Sequence, residues 1–304
     1  MVMVDSEIIQ ILPKRFREYF EQAEICLDRL REIRLRIGQP VELREEKKRI
    51  LCREKVDRSD IREMLEYISG YSLYAFEEEI SQGFITVPGG HRVGVAGQVV
   101  MEQGNVKNIR NISFINVRLS HQVRGCADPV LKYIKQGDRI YHTLIISPPG
   151  CGKTTLLRDI VRRVSGQSHE PEGKNVTVVD ERSEIGGCFR GMPQNDLGCR
   201  TDVLDGCPKS VGMMMAVRSL APDVIVVDEI GGKKDVQALR YVMNCGCALI
   251  ATVHGRDFRD IWEKPELGDM LRDGLFERCI VLGNRKGPGT VLDVCDGQGG
   301  SLYA

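Results

Sequence analysis

The segment at residues 143–165 constrains the fold more than any other part of the chain. It reads TLIISPPGCGKTTLLRDIVRRVS, in which an apolar run enters a turn rich in glycine and proline, and an amphipathic stretch follows. This order is typical of a strand, a loop and a helix. Backbone N–H groups at the start of such a helix bind anions through hydrogen bonds and the helix dipole. The segment therefore predicts an α/β unit with a phosphate-binding loop.

The predicted loop consists of Ser147, Pro148, Pro149, Gly150, Cys151, Gly152, Lys153, Thr154 and Thr155. We expect Lys153 to reach the β- and γ-phosphates of ATP, and the hydroxyl of Thr154 to bind Mg²⁺, which prefers oxygen ligands. Ser147 departs from the G-x-x-x-x-G-K-[ST] pattern, whose first position is glycine. The alternative is a glycine-rich helix start without a ligand.

A second motif follows a later apolar run, in the sequence APDVIVVDEIGG. Asp228 and Glu229 end this predicted strand, and in open α/β sheets ligands bind at the carboxyl ends of strands. We expect Asp228 to hold Mg²⁺ through water, and Glu229 to orient and polarise the attacking water. The alternative is a pair of solvated acids at a strand end.

An acidic box ends the run NVTVVDERSEI, with Asp180, Glu181 and Glu184. These carboxylates are candidates for orienting water or for contacts around the Mg²⁺ site. The alternative is a surface cluster that pairs with Arg182.

Polar residues also end the run CALIATVHG, where Thr252 and His254 follow the apolar positions. A polar side chain at this strand end lies within reach of a γ-phosphate and is a candidate for detecting it. The alternative is a structural histidine.

Strand-like runs alternate with helical patterns from about residue 141, which predicts a doubly wound, mostly parallel sheet in an α/β domain. Residues 1–122 differ, because their apolar residues alternate over short strands and one helix with Ser59 as its candidate N-cap. We expect an α+β domain at 1–122, a linker at 123–128 and a P-loop ATPase domain of RecA-like fold at 129–304. Residues 278–300 predict a terminal hairpin around a Gly-Pro-Gly turn.

Charge and cysteine content limit the function classes. Lys and Arg total 43, Asp and Glu total 43, and the pI is about 6.9, which argues against a protein that coats nucleic acid. The 11 cysteines lack paired CxxC spacing, which favours a reducing cytosolic compartment. No apolar stretch approaches the ~18 residues of a membrane-spanning helix, so we expect a soluble protein. The alternative function that stays open is a nucleic-acid-remodelling P-loop ATPase.

The four motifs, in this order along the chain, resemble those of the secretion and pilus-assembly ATPases, which include type II and type IV secretion motors. The resemblance implies that Glu229 is the catalytic carboxylate, and that the acidic box and His254 match residue by residue. Members of the family commonly carry glycine where this chain has Asp228. The retained aspartate makes the expected Mg²⁺ site similar to that of ordinary P-loop ATPases.

The resemblance also implies a working assembly and further site residues. It implies a homo-hexameric ring, in the cytoplasm or peripheral at the membrane through a channel complex, that powers a membrane-embedded channel during spore formation. It implies no nucleic acid partner. Arginines of the N-terminal domain are implied to touch the nucleotide, and Arg118 matches that role, with Arg92 and Arg110 as alternatives. Arg200 and Arg218 are candidates for a contact with an adjacent subunit or with the Asp228–Glu229 strand.

Overall fold

The computed structural model describes residues 5–22, 25, 29–45, 48–69, 84–167, 172–285 and 287–303. They fall into two compact units. The first comprises Met1–His121 with Gly187–Gln194, and the second comprises Gln122–Gly186 with Asn195–Ala304. The chain therefore passes three times from one unit to the other. The domain limits expected from the sequence stay a prediction. They did not include residues 187–194 in the first unit.

The first unit contains one antiparallel sheet of six strands in the order β3-β2-β1-β6-β5-β4. Its strands are β1 (Leu30–Arg36), β2 (Pro40–Glu45), β3 (Arg49–Lys55), β4 (Phe84–Val87), β5 (His91–Glu102) and β6 (Asn105–Arg118). Its helices are α1 (Asp5–Gln10), α2 (Lys14–Gln22) and α3 (Arg58–Ser69).

Period-2 alternation places one face of this sheet in a core, as the sequence predicts. Ile33 and Leu35 of β1 are fully buried, whereas Arg34 between them is half-buried. Helix α3 begins one residue before its expected cap. Asp57, and not Ser59, caps it, because the Asp57 carboxylate accepts the backbone N–H of Ser59 at 2.7 Å.

A histidine at the start of β5 is buried in the first unit. Nδ1 of His91 accepts the backbone N–H of Ser120 at 3.0 Å, and its side chain is 1% exposed. Burial lowers the pKa of His91 to about 4, and the charge of His121 adds to this effect. His91 is therefore neutral at pH 7.

The second unit contains a sheet of seven strands and a separate two-stranded sheet. Its strands are β7 (Lys135–Gln136), β8 (Arg139–Ile140), β9 (Thr143–Ser147), β10 (Val176–Asp180), β11 (Thr201–Asp205), β12 (Val224–Val227), β13 (Ala248–His254), β14 (Arg278–Gly283) and β15 (Thr290–Asp296). Its helices are α4 (Asp128–Ile134), α5 (Lys153–Ser165), α6 (Lys209–Ser219), α7 (Lys233–Asn244), α8 (Phe258–Trp262) and α9 (Pro265–Arg272).

The large sheet has the order β11-β10-β12-β13-β9-β14-β15, and every neighbouring pair is parallel except β14 and β15. Apolar clusters cover both faces of the sheet, one with α6 to α9 and the other with α4 and α5. The sequence prediction of a doubly wound, mostly parallel α/β sheet is confirmed, and β14 and β15 form the predicted hairpin. Among the described residues, no helix has both the length and the apolar character that a membrane span requires.

Candidate nucleotide and catalytic site

Four strands of the large sheet end at the same edge. Ser147 at the end of β9 pairs with His254 at the end of β13, and Val179 of β10 pairs with Val227 of β12. Because parallel strands share a direction, the residues that follow them meet at this edge. The phosphate loop, the acidic box, Asp228–Glu229 and His254 are therefore neighbours.

The phosphate loop runs from β9 into α5, with Pro148 to Gly152 in the turn and Lys153, Thr154 and Thr155 in the first helical turn. Gly150 and Gly152 have φ angles of 73° and 81°, which favour glycine. The N–H of Gly289 donates to the carbonyl of Cys151 at 2.8 Å, and a Cβ at Gly152 would lie 2.8 Å from that nitrogen. The turn of the β14–β15 hairpin thus fixes Gly152 as glycine.

Ser147 replaces the usual first glycine without disturbing this loop. Its side chain is fully buried, and its hydroxyl donates to the carbonyl of Pro148 at 2.9 Å. Since this bond is local and satisfies the hydroxyl, the position accommodates serine.

Lys153 and Thr154 contact the two carboxylates at the end of β12. The Nζ atom of Lys153 lies 2.9 Å from Oε1 of Glu229 and 3.5 Å from Oδ1 of Asp228. The hydroxyl of Thr154 donates to Oδ2 of Asp228 at 2.8 Å. Lys153 is 6% exposed, so its charge is neutralised by these carboxylates in a water-poor setting.

Thr252 bonds both residues at the end of β12, the carboxylate of Asp228 and the backbone of Glu229. Its hydroxyl accepts the backbone N–H of Glu229 at 2.8 Å and donates to Oδ1 of Asp228. Its side chain is 0% exposed. Glu229 has a φ of 55°, a left-handed conformation that costs about 1–3 kcal/mol in a residue with a Cβ. The bond from its N–H to Thr252 helps to maintain that conformation, and this role of Thr252 differs from the expected contact with phosphate.

Three cationic or ionisable side chains surround the Glu229 carboxylate. Besides Lys153, Nε2 of His254 lies 2.9 Å from Oε1, and Nη1 of Arg182 lies 3.1 Å from Oε2. Partial burial raises the pKa of Glu229, but the hydrogen bond from Lys153 and the charges of Lys153, His254 and Arg182 outweigh it, so the pKa is lowered. Glu229 is consequently ionised at neutral pH.

Asp180 of the acidic box is a structural residue. It is 2% exposed and accepts the backbone N–H groups of Glu184, Ile185 and Gly186 at 2.7–2.9 Å. Burial raises its pKa to about 6, although these hydrogen bonds act in the opposite direction. Asp180 thereby orders the turn that carries the rest of the box.

The remaining acids of the box lie beside Glu229. Glu181 forms an ion pair with Lys209, and the carbonyl of Glu184 accepts two hydrogen bonds from Arg158. One crevice is lined by Asp180, Glu181, Arg182, Glu184, Lys209, Asp228 and Glu229. The structure therefore brings both acidic motifs to one place, and their separate roles stay predictions.

The sequence reasoning missed two basic residues of this crevice. Pairing of Arg182 with the acidic box was the alternative interpretation, and in the structure Nη1 of Arg182 lies 3.1 Å from Oε2 of Glu229. Lys209 was not considered. The position of Arg182, two residues after the end of β10, is the one signal that points to the strand-end edge.

The N-terminal candidate arginines lie on β5 and β6. Arg118 ends β6 opposite Glu32 of β1 and Arg92 of β5, and within the described ranges its exposed side chain forms no ion pair or hydrogen bond. The guanidinium of Arg92 lies 4.8 Å from the ring centroid of Phe84. Arg110 is exposed on β6. The match of Arg118 to a nucleotide-sensing role stays a prediction.

Two further arginines were proposed for contacts in the second unit. Arg200 donates to the carbonyls of Ser165 and Gln167 at 3.2 and 3.3 Å, so it joins the end of α5 to β11. Arg218 is exposed in the last turn of α6. Contact of either residue with another subunit stays a prediction.

The loop and the strand ends fit a magnesium nucleotide. No described atom lies within 4 Å of the Cβ position of Gly150, so phosphate oxygens have room to approach the loop. Gly152 supplies no side-chain cap to α5, which leaves first-turn N–H groups for an anion. Thr154 and Asp228 offer a hydroxyl and a carboxylate 2.8 Å apart, the hard oxygen ligands that Mg²⁺ prefers.

Known structures share the fold at low sequence identity. The X-ray structure of the Legionella pneumophila ATPase DotB superposes with a TM-score of 0.61 at 16% identity, over 89% of this chain and 76% of that chain. The crystal structure of the pilus retraction motor PilT with bound ADP gives a TM-score of 0.61 at 14% identity, over 91% and 78% of the two chains. These comparisons confirm the fold predicted by the resemblance to secretion ATPases.

Sequence comparison identifies a family across the whole chain. Stage III sporulation protein AA of Bacillus subtilis (strain 168) is 40% identical over 298 residues, which are 98% of this chain and 97% of that protein. The family model for sporulation stage III, protein AA matches residues 4–302. The chain therefore belongs to the sporulation stage III protein AA family.

Proposed function

We propose that this chain binds Mg-ATP on residues 147–155 and hydrolyses it with Glu229. The observation that carries the proposal is the contact of Lys153 and Thr154 with Glu229 and Asp228 at 2.8–2.9 Å. A cation and a hydroxyl from the loop thus meet two strand-end carboxylates, as phosphoryl transfer to water requires.

The side chains have separate roles in this proposal. Lys153 leaves Glu229 to bind the β- and γ-phosphates, because phosphate oxygens carry more charge than one carboxylate. Glu229 then orients the attacking water and accepts its proton. Thr154, with its hydroxyl, and Asp228, through water, are the residues that would hold Mg²⁺. The ion neutralises charge on the phosphate oxygens when it is bound.

An ATPase assay with two variants tests this assignment. Lys153→Ala should lose nucleotide affinity and turnover, whereas Glu229→Gln should retain binding of Mg-ATP and lose hydrolysis. Arg259→Gln is the matched control, since Arg259 is 87% exposed on α8 and pairs only with Glu263 among the described residues. Wild-type turnover in Lys153→Ala, or an inactive wild type, contradicts the proposal.

We further propose that the chain works as a homo-hexameric ring in the cytoplasm. In this proposal it powers a sporulation-specific channel between mother cell and forespore, through contact with membrane-embedded channel proteins. The family membership and the fold shared with a pilus retraction motor support this role. Arg118 is proposed to respond to the γ-phosphate, because its guanidinium is exposed and unpaired within the described part of the chain.

Sedimentation analysis tests the ring. The motor proposal expects a hexamer whose stability depends on nucleotide, measured with and without a non-hydrolysable ATP analogue. A monomer under both conditions contradicts it. Cross-linking in sporulating cells, followed by identification of membrane proteins, tests the channel partner. Salt-dependent binding to single-stranded DNA would instead favour nucleic acid remodelling.

A further inference from the structure

We propose that Arg182 is a positioning residue for hydrolysis, which holds Oε2 of Glu229 and leaves Oε1 to face the attacking water. The inference rests on the proposed ATPase function of this site. Arg182 lies outside the phosphate loop and outside the Asp228–Glu229 pair.

The two oxygens of Glu229 have different partners. Nζ of Lys153 and Nε2 of His254 each lie 2.9 Å from Oε1, whereas Nη1 of Arg182 lies 3.1 Å from Oε2. A carboxylate held at both oxygens has one orientation. A carboxylate held at Oε1 alone rotates about its last bond, because the terminal torsion of glutamate is broad.

Phosphate binding changes this balance. Lys153 contacts Glu229 here, and the proposed mechanism requires the same ammonium group to bind the β- and γ-phosphates. Oε1 then loses Lys153 and keeps His254, and because a carboxylate oxygen accepts more than one hydrogen bond, Oε1 can accept a hydrogen bond from the attacking water. Arg182 remains on Oε2, so the orientation of the carboxylate no longer depends on Lys153.

The backbone that carries Arg182 is firmly held. Asp180, at the end of β10, accepts three backbone N–H groups from residues 184–186, and Ser183 has a φ of 51° in the tight turn between them. On the other side, Glu181 pairs with Lys209 of α6. The backbone of Arg182 is therefore held in place by its neighbours in the turn, close to Glu229. The Arg182 side chain itself is 66% exposed.

Because Arg182 is exposed, the effect of its substitution on turnover can be distinguished from an effect on stability. An exposed ion pair contributes little to the free energy of unfolding. Substitution of Arg182 should therefore leave stability unchanged, and a loss of turnover would reflect the position of Glu229. If the guanidinium bound the γ-phosphate directly, its substitution would instead weaken ATP affinity, which appears as a raised KM.

The experiment compares Arg182→Gln, Arg182→Lys and Arg182→Ala with wild type and with the Arg259→Gln control. We expect Arg182→Gln to lower kcat by about 10- to 100-fold, the cost of a misplaced general base, while KM stays within about threefold. Arg182→Lys should restore part of the turnover, and added guanidinium ions should restore part of it in Arg182→Ala. Urea unfolding midpoints should match wild type.

Each other outcome is informative. Unchanged kcat in Arg182→Gln overturns the inference, and so does a loss confined to ATP affinity, which would assign Arg182 to phosphate binding. If Arg182→Gln unfolds at lower urea and Arg182→Lys gives no rescue, the role is structural and the inference is wrong. In all these cases the ATPase proposal still holds if the wild-type protein hydrolyses ATP and Glu229→Gln does not. An inactive wild type rejects both.

Discussion

Replacement of Thr252 by valine removes the hydroxyl that bonds Asp228 and the backbone of Glu229, and it keeps the shape of the side chain. The hydroxyl donates to Asp228 and accepts the N–H of Glu229 at 2.8 Å. Thr252 is 0% exposed, so water cannot replace either bond. Both partners are therefore left without this hydrogen bond.

The magnitude follows from the two bonds. A hydrogen bond to a charged acceptor contributes about 1.5–3 kcal/mol, and a buried N–H without a partner costs about 1–3 kcal/mol. The two terms share one hydroxyl and are not additive, so we expect Thr252→Val to lower the free energy of unfolding by about 3 kcal/mol. Turnover should fall as well, because the N–H bond helps to keep Glu229 at its φ of 55°.

Urea unfolding and ATPase assays measure these effects, with Thr252→Ser as the matched variant. Serine keeps the hydroxyl and loses one methyl group, which costs about 1 kcal/mol in a core. We expect Thr252→Ser to retain most of the turnover and Thr252→Val to lose it. If the valine variant is as stable and as active as the serine variant, the support of the site by Thr252 is refuted.

Three further outcomes are expected. Glu229→Gln should bind Mg-ATP without hydrolysing it while Glu184→Gln retains measurable turnover, and the reverse result in the same assay would exchange the roles of the two acidic motifs. The contribution of His91 to stability should fall by about 3 kcal/mol as the pH drops from about 6.5 to about 4, because His91 is neutral when folded and protonates more readily when unfolded. The raised pKa of Asp180 acts in the opposite direction over this range, so the measurement is the difference in urea unfolding between wild type and His91→Gln at each pH, and a difference that does not change with pH contradicts the role of His91. Arg118→Ala should lower kcat by about 10³-fold or more if the guanidinium stabilises the transition state, whereas a smaller loss in steady-state assays indicates sensing alone.

The regular parts of the fold could be predicted because they depend on local patterns. Alternation around Ile33 and Leu35 predicted a half-buried strand, and the run that ends at Asp228 predicted a buried parallel strand. Strand ends in such a sheet converge by topology, so the proximity of Lys153, Glu229 and His254 was predictable before any distance was known. The α/β fold is confirmed on this basis.

Contacts made by turns and by buried hydroxyls were not predictable in the same way. Arg182 lies in a turn whose path is set by hydrogen bonds to Asp180, which no periodic pattern encodes. Thr252 was a candidate to face phosphate because it lies near a strand end, but it lies two residues before the last residue of β13, and its hydroxyl bonds the end of the neighbouring strand β12. Asp57 and Ser59 are both residue types that commonly cap the N-terminus of a helix, and only the structure shows that Asp57 caps α3.

The first unit includes residues 187–194, which are synthesised after residues 122–186 of the second unit. The N–H of Gly89 donates to Oε1 of Gln194 at 3.1 Å, so the turn before β5 lacks this partner until Gln194 has been synthesised. Domains usually fold in order as they leave the ribosome. Here β9, α5 and β10 are translated before the last piece of the N-terminal unit. A nascent chain halted at residue 121 would therefore lack residues 187–194, which belong to the first unit.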